Sequence, residues 1–188
     1  MTPAQAPARY RFSVEEWRRM GEAGILGEDD RVELIDGEVV EMSPIGTSHA
    51  VCVNRLLRLL VPRAGDRAVV RVQDPAHLDE HSEPQPDVTL ARPPLETYLA
   101  DHPGPDDLFL VIEVADTTLR WDLGPKSVLY ARSGVVETWV VDLPHSQVVV
   151  LTGPGPDGYT AKRVARRGEV VEPAALAGVT LGVDEILG

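Results

Sequence analysis

The period of the apolar positions changes several times along this chain, and each change marks an element. In "FSVEEWRRMGEAG", Ser13 precedes an amphipathic run with Glu16 three residues on, the pattern of a capping box, and Gly21 or Gly24 supplies the stop. "RVELIDGEVVEM" holds two β-prone runs about Asp36-Gly37, which predicts a tight hairpin. From Ser48 to Val61, the residues Val51, Leu56, Leu59 and Leu60 fall on a helical stripe expected to end at Pro62. "RAVVRVQ", "DVTLA" and "LFLVIEV" then read as three strands separated by Pro-rich connections. A helix around Lys126 follows, with Asp122 as the expected N-cap, Pro125 in the first turn and Gly134 past the end. "ETWVVDL" and "QVVVLT" are further strands, "TGPGPDGY" reads as a loop and "YTAKRVA" as the last strand. The tail "LAGVTLGVDEILG" has only modest apolar content. After the opening helix, the order β, β, α, β, β, β, α, β, β predicts a mixed α/β fold with a sheet at its centre. It is not a regular βαβ alternation, and no Gly-rich phosphate loop accompanies it, so a doubly wound nucleotide fold is not expected.

Composition bounds this reading. A 188-residue chain with 43% hydrophobic and 26% charged residues is long enough for one sizeable core. One domain is expected over residues 10–188, behind a disordered start over 1–9 that lacks the apolar stretch of a signal peptide. No stretch approaches the roughly 18 apolar residues of a membrane span, and a cytoplasmic location is expected. The single cysteine, Cys52, excludes an internal disulfide framework and a thiolate zinc cage. Thirty acidic against eighteen basic side chains give a net charge of −12, which repels a polyanion at long range. The basic stretches "RLLRLLVPR" and "AKRVARRG" are the conspicuous exceptions, readable as phosphate contacts or as solvated faces.

Candidate chemistry begins at Glu113, which interrupts an otherwise apolar run from Leu108 to Val114. Such a run is typical of a strand covered on both faces, so this carboxylate is expected near the interior. There it needs an ion pair, a proton or a bound metal. Upstream, "PQPDVTL" delivers Asp87 at a strand mouth, just after a proline that is tolerated there. Two hard oxygen ligands on neighbouring strands suit a divalent cation such as Mg²⁺. Lys126 precedes Leu129 by three residues and Tyr130 by four, so helical spacing aligns it with apolar neighbours. A lysine so placed either snorkels outward, neutralises Glu113 or takes part in a site with Asp87 and Glu113.

The ordered set "ELIDGEVVEMSPIGTSH", "PDV", "VIEV", "DLGPKSVLYARSGV" and "ETWVVD", over about residues 31 to 142, resembles the Uma-type restriction endonuclease family of the PD-(D/E)XK nuclease superfamily. The resemblance implies a restriction-endonuclease-like core, with a central mixed sheet flanked by helices and an N-terminal helix and hairpin. It implies Asp87 and Glu113 as metal-binding acids, joined by the Val114 backbone carbonyl, and Lys126 as the residue that positions or activates water. Ala115 stands where the plain signature has its lysine, two residues beyond Glu113, and the lysine of this branch falls on the next helix, at Lys126. Glu33 is a candidate additional acid and His49 a candidate phosphate or water contact. The activity implied is Mg²⁺-dependent hydrolysis of phosphodiester bonds in nucleic acid, DNA foremost, with Mn²⁺ as a substitute and a homodimer as the assembly. The alternative is a nuclease-fold domain without catalysis that binds nucleic acid or protein. One further motif, "HLDEH" at His77 to His81, fits the inverted zinc-protease pattern H-x-x-E-H, but Pro75 and Pro84 leave little room for the helix it requires.

Overall fold

A computed structural model describes residues 9–27 and 30–188. The expected disordered start lies outside the described residues except for Arg9, which pairs with Glu38. Helix α1 (Val14–Glu22) opens on the capping box: the Ser13 backbone N–H donates to Glu16 Oε2 at 2.9 Å, and Glu16 N–H donates to Ser13 Oγ at 3.2 Å. The chain then leaves the helix through Gly24 at φ +69°. Strands β1 (Val32–Ile35) and β2 (Glu38–Glu41) form the hairpin expected at Asp36-Gly37. Both turn residues have positive φ, 54° and 74°, as a two-residue turn of the matching twist requires. At Gly37 a Cβ would come within 2.6 Å of Arg11 Cβ, so only glycine lets the preceding segment lie against the turn.

The central sheet is mixed, in the order β3 (Val69–Val72), β4 (Val88–Ala91), β5 (Leu108–Ala115), β6 (Glu137–Asp142), β7 (Gln147–Gly155), β8 (Gly158–Arg166). Only β5 and β6 run parallel, joined by a helical crossover; the other neighbours are antiparallel. Along β5 the period of two separates the faces. Leu110, Ile112 and Val114 face helix α2 (Thr47–Ala64) and the C-terminal segment, in one large core. Val111 and Ala115 face the crossover side, so Glu113, which lies between them in the alternation, belongs to that side too.

Four expectations need correcting. Helix α2 runs past Pro62 to Ala64: the proline gives up its own i→i−4 bond, and the burial of Leu60 and Ala64 on either side of it offsets that loss. Its buried face is Cys52, Val53, Leu56, Leu60 and Ala64, whereas Val51 is exposed. "TGPGPDGY" is no loose loop: β7 and β8 stay paired through Pro154–Tyr159 and Gly155–Gly158, leaving a two-residue turn. The crossover is not a helix capped by Asp122. A helical turn, α3 (Leu119–Trp121), leads into a wide turn, Asp122–Lys126, broken at Gly124, and then α4 (Ser127–Ser133), which ends at Gly134 in the left-handed region as expected. Asp122 has helical backbone angles already, which an N-cap does not.

The tail contributes more than its composition indicated. Strand β9 (Val170–Val171) pairs with β10 (Leu181–Gly182), and α5 (Val183–Leu187) packs on α2. Leu176, Val179, Leu181, Val183 and Ile186 all join the large core. Buried Glu137 ties this segment to β6, accepting hydrogen bonds from Trp139 Nε1 at 2.6 Å and Ala174 N–H at 2.8 Å. Cys52 lies under α5, with its sulfur 3.7 Å from the Ile186 carbonyl oxygen, and burial pushes its thiol up to about 12. Removing most of the fully buried Ile186 side chain, as in Ile186→Ala, is expected to cost about 2–5 kcal/mol in urea denaturation. The same variant is expected to speed labelling of Cys52 by a thiol reagent. A loss below about 0.5 kcal/mol with unchanged labelling would show that the tail is not part of the core.

Candidate active site

The β1–β2 hairpin, the mouth of β4 and the end of β5 converge with the start of α2 and the crossover on one pocket of about 690 Å³. Asp87 comes one step before the paired Val88 and Ile112, which puts it on the same face of the sheet as Glu113. Asp87 Oδ2 accepts a hydrogen bond from the Val114 N–H at 2.8 Å. Oδ1 is 2.9 Å from His49 Nε2, in the first turn of α2. Gln73 Nε2 approaches the same oxygen at 3.5 Å. The hydrogen bond to Asp87 raises the His49 imidazole above its ordinary value, with burial opposing it. The other ring nitrogen, Nδ1, is buried and has no partner among the described residues.

Glu113, Lys126 and Glu33 are respectively 3%, 5% and 4% exposed, so their charges must be balanced inside the protein. Lys126 Nζ stands 3.2 Å from Glu113 Oε1 and 3.2 Å from Glu33 Oε2. Glu33 Oε2 also accepts the Gln85 N–H at 3.0 Å, and the Tyr130 hydroxyl donates to Glu113 Oε1 at 2.6 Å. Burial pushes the Glu113 carboxyl up to about 8, against the pull of the Lys126 ammonium. Burial alone would lower Lys126, but Glu113, Glu33, Asp122 and Asp87 together outweigh it and hold the ammonium above its ordinary value. Asp122, raised by burial, accepts the Thr118 hydroxyl at 2.5 Å.

The residues expected from the sequence to form the nuclease site all line this pocket: Asp87, Glu113, Val114 and Lys126, with Glu33 and His49. Three groups that engage them are not evident from sequence as site residues. Tyr130 reads only as an apolar neighbour of Lys126, Gln85 as part of a Pro-rich approach, and Asp122 as a cap. The spacing of four between Lys126 and Tyr130 is the one signal available, since it sets both on one side of a helix.

The donor set fits a hard divalent cation. Asp87 and Glu113 offer oxygens from two adjacent strands, and Lys126 and Tyr130 share Glu113 Oε1, which leaves Oε2 outside both contacts. Each of the two acids has protein partners of its own. Among the described residues, the one tight group of three side chains with ligand atoms is elsewhere, at His77, Glu83 and Asp101, within 4.8 Å of one another. Arg18 already bridges Glu83 and Asp101, and His77 Nδ1 is 2.9 Å from Asp101, so the protein balances that cluster itself. "HLDEH" forms a tight reverse turn, with Leu78 N–H bonded to the Ser82 carbonyl at 3.0 Å. His81 turns away to the Phe12 carbonyl, so the two histidines do not meet as a zinc-protease pair would.

Removing the lysine cation from this arrangement is expected to be expensive. Lys126→Met leaves two buried carboxylates facing each other and should lower unfolding free energy by about 3–5 kcal/mol, part of it recovered when Glu113→Gln is added. A loss under about 1 kcal/mol for the single variant would mean that the carboxylates do not depend on Lys126 for their burial.

No curated protein matches the chain. Among solved structures, the chain is similar to a crystal structure described as a putative nuclease belonging to DUF820 from Anabaena variabilis. The two share 13% identity at a TM-score of 0.70, over 94% of this chain and 97% of the other, a likeness of fold. The model of the Uma2 family, described as "Putative restriction endonuclease", matches residues 14–184. Spanning nearly all of the fold, that match includes every residue lining the pocket, and the chain belongs to the Uma2 family.

Proposed function

We propose that this protein is a metal-dependent endonuclease that hydrolyses phosphodiester bonds in nucleic acid, DNA foremost. The observation that carries the reading is the meeting of Asp87, Glu113 and Lys126 in one pocket, from two adjacent strands and the crossover that follows them. Asp87, Glu113 and the Val114 carbonyl would hold Mg²⁺, for which Mn²⁺ can substitute, since all are hard oxygen donors. A divalent cation bound there supplies Lewis-acid stabilisation of the phosphate and an acidified water.

The protein's own groups do the rest. Lys126 holds a permanent positive charge beside Glu113 and orients the attacking water or stabilises charge on the phosphate. The Tyr130 hydroxyl and the Lys126 ammonium fix the Glu113 carboxylate, and His49 with the Val114 N–H fixes Asp87. Glu33 keeps Lys126 in place from the hairpin. The domain spans residues 10–188, acts as a homodimer and works in the cytoplasm; no helix among the described residues is long and apolar enough to cross a membrane.

A second reading draws on a specific observation. The pocket acids are already partnered by Lys126, Tyr130, His49 and a backbone N–H, as a nuclease-fold module that binds nucleic acid or protein without cutting would require. Incubation with a panel of single-stranded, duplex and structured nucleic acids separates the two. The nuclease reading expects cleavage that depends on Mg²⁺ or Mn²⁺ and stops on chelation. It expects Asp87→Asn and Lys126→Ala, tested where both are folded, each to lose about 10²–10⁴-fold in rate. Cleavage retained by either variant removes that residue from the mechanism. Affinity without turnover, indifferent to Mg²⁺, supports the module instead.

A further inference from the structure

The basic stretches that stand out in the sequence do not serve the pocket. In the α2 stretch, Arg55 donates to the Leu187 carbonyl, and Arg63 pairs with Glu185 at 2.6 Å. In the β8 stretch, Arg163 donates to the Val170 carbonyl at 3.1 Å, and Arg167 holds Asp184 at 2.9 Å and the Gly188 carbonyl at 3.1 Å. These four arginines fasten the C-terminal segment.

Two other arginines line the pocket, and neither belongs to a basic run. Arg31 precedes β1 on the hairpin side and Arg120 sits in α3, on the crossover side. Arg31 is half-buried and Arg120 exposed. Among the described residues neither side chain has a hydrogen-bond or ion-pair partner, although the same pocket is lined by Glu33, Glu41, Asp87, Glu113, Asp116 and Asp122. The third cation there, Lys126, is paired with Glu33 and Glu113.

A pocket with six carboxylates repels a phosphodiester, and a bound cation offsets only part of that charge. Guanidinium groups left unpaired beside such acids retain their donors for an oxyanion ligand, which they recognise through a planar fork. We infer that Arg31 and Arg120 are the substrate-positioning residues of this site, gripping backbone phosphates of the bound strand on the hairpin side and the crossover side of the reacting group. The inference rests on the nucleic-acid reading above and adds to it the source of affinity that the net charge of −12 leaves unexplained.

The test measures anisotropy of labelled single-stranded DNA, the same sequence as duplex, and single-stranded RNA, each titrated with the full chain in Ca²⁺ and across a salt series, with the probe checked for integrity. Wild type is expected to bind at least one probe. On that probe Arg31→Ala and Arg120→Ala should each weaken binding about tenfold. Each should also flatten the plot of log affinity against log salt by about 0.7 for a single strand or 0.9 for a duplex. Arg31→Lys should restore most of the slope, which a folding defect would not allow. Arg58→Ala, an exposed arginine of α2 outside the pocket, should change neither quantity. Variants that bind as wild type, or that fall no further than Arg58→Ala, overturn the inference and leave the nuclease reading intact. A wild type that binds none of the probes overturns both.

Discussion

One lysine ammonium, 3.2 Å from each of two buried carboxylates, ties together three parts of the chain that, among the described residues, share no backbone hydrogen bonds. Glu33 comes from the hairpin, Glu113 from the central strand β5 and Lys126 from the end of the wide turn within the crossover. Each charge would cost several kcal/mol to bury alone, and the cost is met only when all three elements are in register. Gln85 N–H and the Tyr130 hydroxyl take further lone pairs of the same carboxylates, so the arrangement is directional as well as neutralising. That register opens the mouth of β4 beside it, where Asp87 projects onto the same face of the sheet.

Local chemistry explains which parts of this fold are readable from the amino acids. The capping box at Ser13 and the Asp36-Gly37 turn are satisfied within a few residues, so their sequence signals have no competitor. Glu113 and Lys126 are legible as polar interruptions of apolar patterns, because burial of a charge has few solutions. Elsewhere tertiary contacts override local preference. Pro62 stays helical because Leu60 and Ala64 around it are buried, and the two prolines of the 153–158 stretch sit within a hairpin that its glycines permit. The tail looks weakly apolar, yet places Val171, Leu181 and Ile186 in the main core, since a few well-spaced residues suffice when the sheet supplies the other face. Asp122 cannot be assigned to the pocket from sequence, because its cap-like setting depends on where the preceding turn begins.

Charge follows the same division. The net value of −12 and the two basic stretches are properties of the whole surface, and the stretches turn out to secure the C-terminal segment. The cations that line the pocket are few, scattered through the sequence and brought together only by the sheet and its crossover. A chain of this composition can thus be acidic overall and still present cations where a phosphate would lie, with specificity set by their position rather than their number.

The central claim is that the buried Glu113, held by Lys126 and Tyr130, retains an oxygen for a divalent cation shared with Asp87. Calorimetric titration of Mn²⁺ into the wild type and into Glu113→Gln tests it without any assumption about the substrate. Saturable binding in the wild type that disappears in Glu113→Gln, with the variant still folded, is the result this account predicts. Binding of equal strength in both, or none in the wild type, would contradict it and leave Glu113 as the structural partner of Lys126 alone.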